Sequence, residues 1–293
     1  MKKFRKFLGK LLLTLIAGAF ALAFLLPTVL TITNSLMSPT EIRANYGVVF
    51  PDNSGQKAYM SERVNLKFIP DMVTLSQYNT VLVKSPDYLF KFWNSVALVA
   101  PIVIFQIVIA AIAAYGFARY RGRVREVIFF MYIILMLMPY QVTLVPNYMI
   151  SEWTGLKGHR LAVILPGIFS PFSVFILTKA MRRIPASLIE AAKLDGASEV
   201  QVFTHICLPM SVNTIYSVVI LVFIDYWNMV EQPLILLNPE DYPLSIFLSQ
   251  INAGEVGLAF AVATIYMIPS LLMFLHGEDY LIEGITYSGA IKG

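Results

Sequence analysis

Six long apolar stretches recur along the chain, each long enough to cross the roughly 30 Å hydrocarbon core of a bilayer. They fall near residues 11–33, 94–117, 127–148, 161–180, 211–237 and 258–276. A backbone in lipid must satisfy its own hydrogen bonds, so runs of this length become helices. At about 1.5 Å per residue, the first reaches about 34 Å, enough to span with some tilt. Pro27, Pro101, Pro139, Pro166, Pro171 and Pro269 lie within or at the ends of these runs. Packed transmembrane helices accommodate such prolines as kinks. The expected fold is an all-α integral membrane protein, a single transmembrane domain over 1–293.

Composition supports this reading. Hydrophobic residues make up 57% of the chain and charged residues 14%, against about 25% charged in ordinary soluble domains. The net charge of +4 sits in short loops beside apolar runs, a topology signal rather than a nucleic-acid patch. The lone cysteine, Cys207, excludes an intrachain disulfide and reads as a small buried apolar residue. His159, His205 and His276 are too scattered for a zinc ligand set.

Lys and Arg set the orientation. With the N-terminus inside, the segments 1–10, 118–126, 179–210 and 277–293 carry fourteen of them, against eight in 34–91, 149–160 and 238–257. Arg119, Arg121, Arg123 and Arg125 weigh most, because short loops decide topology. Both termini are then cytoplasmic and 34–91 is extracellular. The basic start, Lys2-Lys3-Phe4-Arg5-Lys6, resembles a signal peptide. Its apolar run exceeds the usual 7–15 residues, however, and Thr31 to Ser35 is a poor cleavage site, so an uncleaved first span is expected.

Between the fourth and fifth runs lies a polar stretch, 182–209, patterned as a helix–turn–helix. Pro185 suits a first turn, and Ala186 to Leu194 continue without a breaker. Leu188, Ala191, Ala192 and Asp195 share one face, flat and shallow enough for close approach by another protein. Gly196 can take the left-handed conformation that ends a helix. Ser198 with Gln201 has the form of a capping box, opening a helix that carries Val202, Phe203 and Ile206 inward. Pro209 separates that helix from the fifth run. On physics alone the stretch is also compatible with an amphipathic surface helix.

Glu190, Ala191, Ala192, Gly196, Ile206, Leu208 and Pro209 match, at every spacing, the EAA loop of membrane subunits of ATP-binding-cassette (ABC) importers. The chain resembles that permease family. The resemblance implies a type I importer permease fold with six spans and a cytoplasmic coupling loop. It further implies that Glu190, Ala191, Ala192, Asp195, Gly196, Ile206, Leu208 and Pro209 couple to an ATP-hydrolysing subunit. No GxxxxGK[ST] segment occurs, so the phosphate-cradling loop is missing and the chain is not itself an ATPase. ATP and Mg²⁺ are expected on partner subunits, and no cofactor on this chain.

Thr74 to Tyr78, then Phe92-Trp93-Asn94-Ser95, then Trp227-Asn228 with Pro233-Leu234, resemble the carbohydrate branch of these permeases, the maltose-importer type. So does the ending, Ser288 to Gly293, a tail that in relatives reaches between the ATPase subunits. A frayed, Gly-rich terminus is the plainer reading of that tail. The implied partners are a homologous permease subunit, two ATP-binding subunits and an extracellular solute-binding protein, in the plasma membrane. The solute implied is a carbohydrate, most simply an oligosaccharide. The stretch 38–71 is longer than usual in this branch. Tyr46 to Phe50 and Val64 to Ile69 are candidate strands about an Asp52-Asn53-Ser54-Gly55 turn, placed to contact a solute-binding partner or merely to cap the permease.

In the fifth run Asp225 falls near the membrane midplane, where a carboxylate must face an interior or a water path. Asp225, Asn228 and Gln232 stand at i, i+3 and i+7, with Tyr226 and Trp227 beside them. Hydroxyl-bonding side chains beside aromatic faces suit a sugar; hydrogen bonding between helices would use the same residues. Gln106, Gln141 and Thr143 are weaker candidates, and Phe129 to Met138 reads as lipid-facing and packing surface. An ion-coupled secondary transporter of small polar solutes is the alternative. It calls for internal repeats and paired midplane acids, and would leave the EAA loop without a purpose. Nucleophile–base and HExxH arrangements do not occur in the pattern of a membrane enzyme.

Overall fold

A computed structural model describes residues 2–46, 65–120, 122–250 and 256–286. The helices run α1 (Lys2–Ser35), α2 (Pro39–Tyr46), α3 (Ser76–Asn79), α4 (Pro86–Arg119), α5 (Arg123–Met136), α6 (Tyr140–Trp153), α7 (Leu161–Gly167) and α8 (Pro171–Met181). There follow α9 (Ala186–Leu194), α10 (Glu199–Val202), α11 (Leu208–Met210), α12 (Val212–Trp227), α13 (Glu231–Leu236), α14 (Leu244–Ser249) and α15 (Val256–Thr286). π-turns at Thr80–Lys84 and Phe203–Cys207 and a 3₁₀ turn at Pro239–Asp241 complete the order. Among the described residues no strand forms; the one β-type contact is an isolated bridge between Gly158 and Leu237.

Four helical stretches are long and apolar enough to cross a membrane: Gly9–Ser35, Pro86–Arg119, Leu161–Met181 and Gly257–Leu281. The number rises to six if each of two bent pairs counts as one span. The first pair, α5 with α6, turns through 101° at Leu137–Pro139. Pro139 lacks the N–H that would bond Leu135, and its ring would crowd that carbonyl, so the helix stops and restarts. The second pair, Glu199–Met210 with α12, bends by 72° at Ser211, just past Pro209.

Two further breaks interrupt the helices of the expected runs, although Leu161–Met181 still counts as one stretch able to cross a membrane. Between α7 and α8 the chain leaves the helix at Ile168 and re-enters at Pro171, where the Ser170 hydroxyl accepts from the Ser173 N–H. The continuous span expected over 211–237 ends instead at Trp227, and α13 begins at Glu231. Pro233 explains this break. It cannot donate to Met229, four residues earlier, and the Met229 carbonyl accepts from the Ser245 hydroxyl at 2.5 Å instead.

The chain divides into two compact units, Met1–Phe90 with Phe247–Ile268, and Lys91–Ile246 with Pro269–Gly293. In the first, α1 is exposed along its apolar length, from Leu11 to Leu26, and becomes buried only at its C-terminal end. There Asn34 donates to the Tyr46 hydroxyl (2.7 Å), and Ser35 bonds the Tyr78 hydroxyl (2.7 Å). Met37, Ile42 and Tyr46 form a small core with Phe260. The strand expected over Val64 to Ile69 is absent across its described part; Tyr46 closes helix α2 instead. Residues 65–74 lie against α2 through an Asn65–Asn45 pair and a Lys67–Glu41 ion pair at 3.0 Å. A buried, hydrogen-bonded Tyr46 outweighs its β-propensity. The rest of the first expected strand, the 52–55 turn and the tail at 288–293 lie outside the described residues.

In the second unit a stripe of small residues on α4, Ala110, Ala111 and Ala114, packs into a core with Val174, Leu177, Met181, Val218 and Val222. Near the start of α4, Asn94 and Ser95 fasten two loops. Arg160 donates to the Asp241 carboxylate and to the Asn94 side-chain amide oxygen, both at 2.8 Å, while the Asn94 amide donates to the Glu240 backbone carbonyl. Ser95 accepts from the Leu244 N–H at 2.9 Å. Gly277 of α15 lies so close to Ile220 of α12 that a Cβ there would overlap it, so glycine sets the approach of these helices.

Candidate functional site

The stretch 186–209 folds as a hairpin whose turn is closed by backbone return bonds on one side and a side-chain capping box on the other. Pro185 precedes α9 at the N-cap. Gly196 takes φ +87°, and the helix ends in two return bonds, Ala197 N–H to the Ala192 carbonyl (2.9 Å) and Gly196 N–H to Lys193 (3.1 Å). This is the Schellman pattern, which satisfies carbonyls left open at a helix end. Two residues on, Ser198 accepts from the Gln201 N–H while the Gln201 side chain accepts from the Ser198 N–H at 2.8 Å. A cap of this kind contributes about 1 kcal/mol. The turn is therefore held between two interlocked ends.

The inner face of the hairpin is apolar. Ile189, Val202 and Cys207 are buried in the core that contains Ala110, Ala114 and Leu177. Phe203 packs on Tyr115 of α4, ring centroids 5.1 Å apart. The Tyr115 hydroxyl and the Lys193 ammonium both donate to the Glu199 carboxylate, which joins α9, α10 and α4. Lys193 chiefly, with Tyr115 next, holds this carboxyl below the ordinary glutamate range. Burial pushes the Cys207 thiol up, which keeps it neutral.

The outer face is left open. Leu188, Ala191, Asp195 and Gly196 are exposed, and so are Leu194 at 89% and Val200 at 69%. Glu190 and Pro209 are exposed too, whereas Ile206 and Leu208 are half-buried. Ala192 departs from the expected shared face: it is half-buried and packs toward the core.

The second candidate site is a cavity of about 580 Å³ at the break between α12 and α13, lined by residues of α6, α12 and α13. Asp225, Tyr226, Asn228 and Gln232 line it, although the helix ends before Asn228 and no continuous face carries them. Trp227 does not line it. Its side chain is 1% exposed, between Phe92 (5.6 Å) and Phe223 (5.3 Å). Sequence reasoning missed Tyr140 and Glu231, which join the lining with Gln141. Pro139 and Pro233 were the available signals, because each stops a helix and turns the next residues inward. Thr143 bonds its own helix at Tyr140, while Gln141 donates to Glu231 at 3.3 Å.

A smaller cavity of about 320 Å³ shares Asp225 and Tyr226 and adds Gln106, Ser170 and Phe172. Gln106, 1% exposed, donates to Ser173 at 2.6 Å and leaves its amide oxygen without a partner. In the run 129–138, Phe129 is buried, while Phe130, Met131, Leu135 and Met138 are exposed. Among the described residues no group of three His, Cys, Asp or Glu is gathered to hold a metal ion.

Comparison with known proteins adds to this geometry. The family model of the binding-protein-dependent transport system inner membrane component matches residues 106–278. A putative ABC transporter permease protein, ORF2, of Caldicellulosiruptor sp. (strain Rt8B.4) is 32% identical over 231 residues, covering 77% of this chain and 83% of that one. The lactose transport system permease protein LacG of Rhizobium radiobacter is 28% identical, covering 70% and 76%. The arabinooligosaccharides transport system permease protein AraQ of Halalkalibacterium halodurans is also 28% identical, covering 80% and 85%. Among solved structures, a bacterial ABC transporter involved in the import of the acidic polysaccharide alginate aligns at TM-score 0.77. It shares 20% identity over 93% of this chain and 96% of that one, a likeness of fold. The family match spans more than half of the sequence, and the chain belongs to the binding-protein-dependent transport system inner membrane component family, the permease subunits of ABC importers.

Proposed function

We propose that this chain is one of two permease subunits of an ATP-driven importer and carries an oligosaccharide across the plasma membrane unchanged. It spans the membrane six times, with α5–α6 as one bent span and α12, entered from the bent segment at 199–210, as the fifth, and both termini in the cytoplasm. A solute-binding protein delivers the sugar outside, and two ATP-binding subunits, holding ATP and Mg²⁺, drive the cycle inside. The observation that carries the reading is the hairpin at 186–209, capped at both ends of its turn and open on its outer face. Glu190, Ala191, Asp195 and Gly196 meet the ATPase there, and Glu199 passes the displacement to α4 through Tyr115. Reversing a two-state permease from 1:99 to 99:1 requires about 5.5 kcal/mol of differential binding. A turn without loose backbone groups can deliver that without yielding.

The carbohydrate part rests on relatives named for lactose and arabinooligosaccharides and on the hydroxyl-bonding cavity beside Tyr140 and Tyr226. Its lining and volume fall in the range of small-molecule sites, about 300–1,000 Å³.

The test is reconstitution with the partner permease, ATPases and receptor in proteoliposomes. ATP-dependent uptake of an oligosaccharide is expected, together with its loss in Gly196→Asp while basal ATP hydrolysis persists. Uptake that continues without ATP and stops when a proton gradient collapses overturns the reading.

A further inference from the structure

We infer that the cavities at the α12–α13 break select against negative charge: they admit neutral or amine-bearing sugars and reject uronates. The inference rests on the carbohydrate reading above and narrows its substrate class. Its basis is the balance of donors and acceptors around Asp225. The larger cavity carries two carboxylates, Asp225 and Glu231, and neither cavity is lined by Lys, Arg or His. Four cations elsewhere in the same unit are held in ion pairs: Arg160 with Asp241, Arg182 with Glu126, Lys157 with Glu152 and Lys193 with Glu199.

Several amide and phenol donors around the cavities are already engaged by the protein. Gln106 Nε2 donates to Ser173, Gln141 Nε2 to Glu231, Asn228 Nδ2 to the Ile224 carbonyl, and the Tyr226 hydroxyl to the Gly167 carbonyl. The Tyr140 hydroxyl of the larger cavity is buried without a partner and stays available both to donate and to accept, so the charge preference rests on the two carboxylates and the lack of a lining cation. Acceptors remain. The Gln106 and Gln232 amide oxygens are buried without partners, and the Asp225 carboxylate faces both cavities. A buried acceptor without a donor is costly, so the cavity is completed by a ligand rich in O–H or N–H groups. Neutral sugars and amino sugars supply them. A uronate brings a carboxylate, which accepts only, into a space already holding two. Low-dielectric walls strengthen that repulsion.

This contrasts with the structural neighbour of the same fold that takes up an acidic polysaccharide. Fold and charge preference are thus separable, as expected when selection resides in the residues lining a site.

The experiment uses the assembled importer in proteoliposomes. It compares ATP-driven uptake of lactose and arabinotriose, a glucosamine dimer, and a galacturonate dimer. Each is matched to a receptor engineered or chosen to bind it, so that the permease step is read. Uptake of the galacturonate dimer is expected to be at least about tenfold slower than that of the neutral sugars, the scale of one like-charge contact at intermediate dielectric. In Asp225→Asn, Glu231→Gln and the double variant, the uronate-to-neutral ratio is expected to rise. Basal ATP hydrolysis and size-exclusion behaviour verify assembly, and the wild-type panel needs no variant. Uronate uptake at the neutral rate, or a ratio that stays put in assembled variants, overturns the inference and leaves the carbohydrate reading intact. ATP-driven uptake of a non-sugar solute with none of the four sugars overturns both.

Discussion

The hairpin at 186–209 and the cavity at 224–232 lie on neighbouring stretches of one chain, yet they treat polar groups in opposite ways. In the hairpin turn Gly196, Ala197, Ser198 and Gln201 find partners within a few residues, and apolar Leu188, Leu194 and Val200 stand open beside charged Glu190 and Asp195. At the cavity, Pro233 interrupts the helix, and amide oxygens at Gln106 and Gln232 stay unpartnered while the bulky Trp227 is buried. On the proposed function the first would transmit force through its satisfied turn, and the second would receive a polar solute through its incomplete bonding. Rigidity and receptivity are thus written in the same currency, hydrogen-bond satisfaction, with opposite signs.

The largest effect is expected from spoiling the hairpin turn. Gly196 has open space around it but a left-handed backbone, which a β-branched residue adopts only with strain of roughly 1–2 kcal/mol or more. Gly196→Val is expected to cut transport at least tenfold in reconstituted importer while ATP hydrolysis continues. Retention of full coupling would erase the contrast between the two regions. Next is Gly277→Val, whose side chain collides with Ile220. Overpacking of this kind costs about 1–3 kcal/mol. A lower unfolding midpoint in detergent is expected, with partial recovery when Ile220→Ala is added.

A smaller effect concerns the joint at Glu199. Its carboxyl is held below the usual range, so the joint's contribution is present above the unfolded value and disappears as pH falls through the lowered one. The ratio of transport to ATP hydrolysis, with cytoplasmic pH varied, is therefore expected to stay flat down through the ordinary glutamate value of about 4.3. Glu199→Gln is expected to lower that ratio several-fold at neutral pH. The smallest effect is at Cys207, whose buried thiol is expected to escape maleimide until the protein unfolds, as read by mass spectrometry.

What could be read from the sequence was local. The end of α9 at Gly196 and the Ser198–Gln201 box depend on neighbours three to five residues apart, so spacing sufficed. The cavity depends on distant partners. Asp225, Asn228 and Gln232 were grouped by a helical period that does not apply past Trp227. They still share a cavity because α13 folds back and Ser245 holds the Met229 carbonyl, sixteen positions away. Tyr140 and Glu231 escaped notice for the same reason, and Trp227 was misplaced because its aromatic neighbours Phe92 and Phe223 come from two different helices. The missed helix α2 shows the same limit: Tyr46 and Val64 to Ile69 favour strands locally, and burial against α1 and Phe260 overrode that preference.

One rod bears on all of this. Helix α4 carries the Asn94 clasp near one end and the Tyr115 contact near the other, twenty-one positions apart, or about 30 Å. A shaft fastened at both ends has little slack. If the hairpin drives the cycle as proposed, a tilt imparted at Tyr115 would arrive at the Arg160–Asp241 loops in the same stroke, less only the flexure absorbed at Pro101.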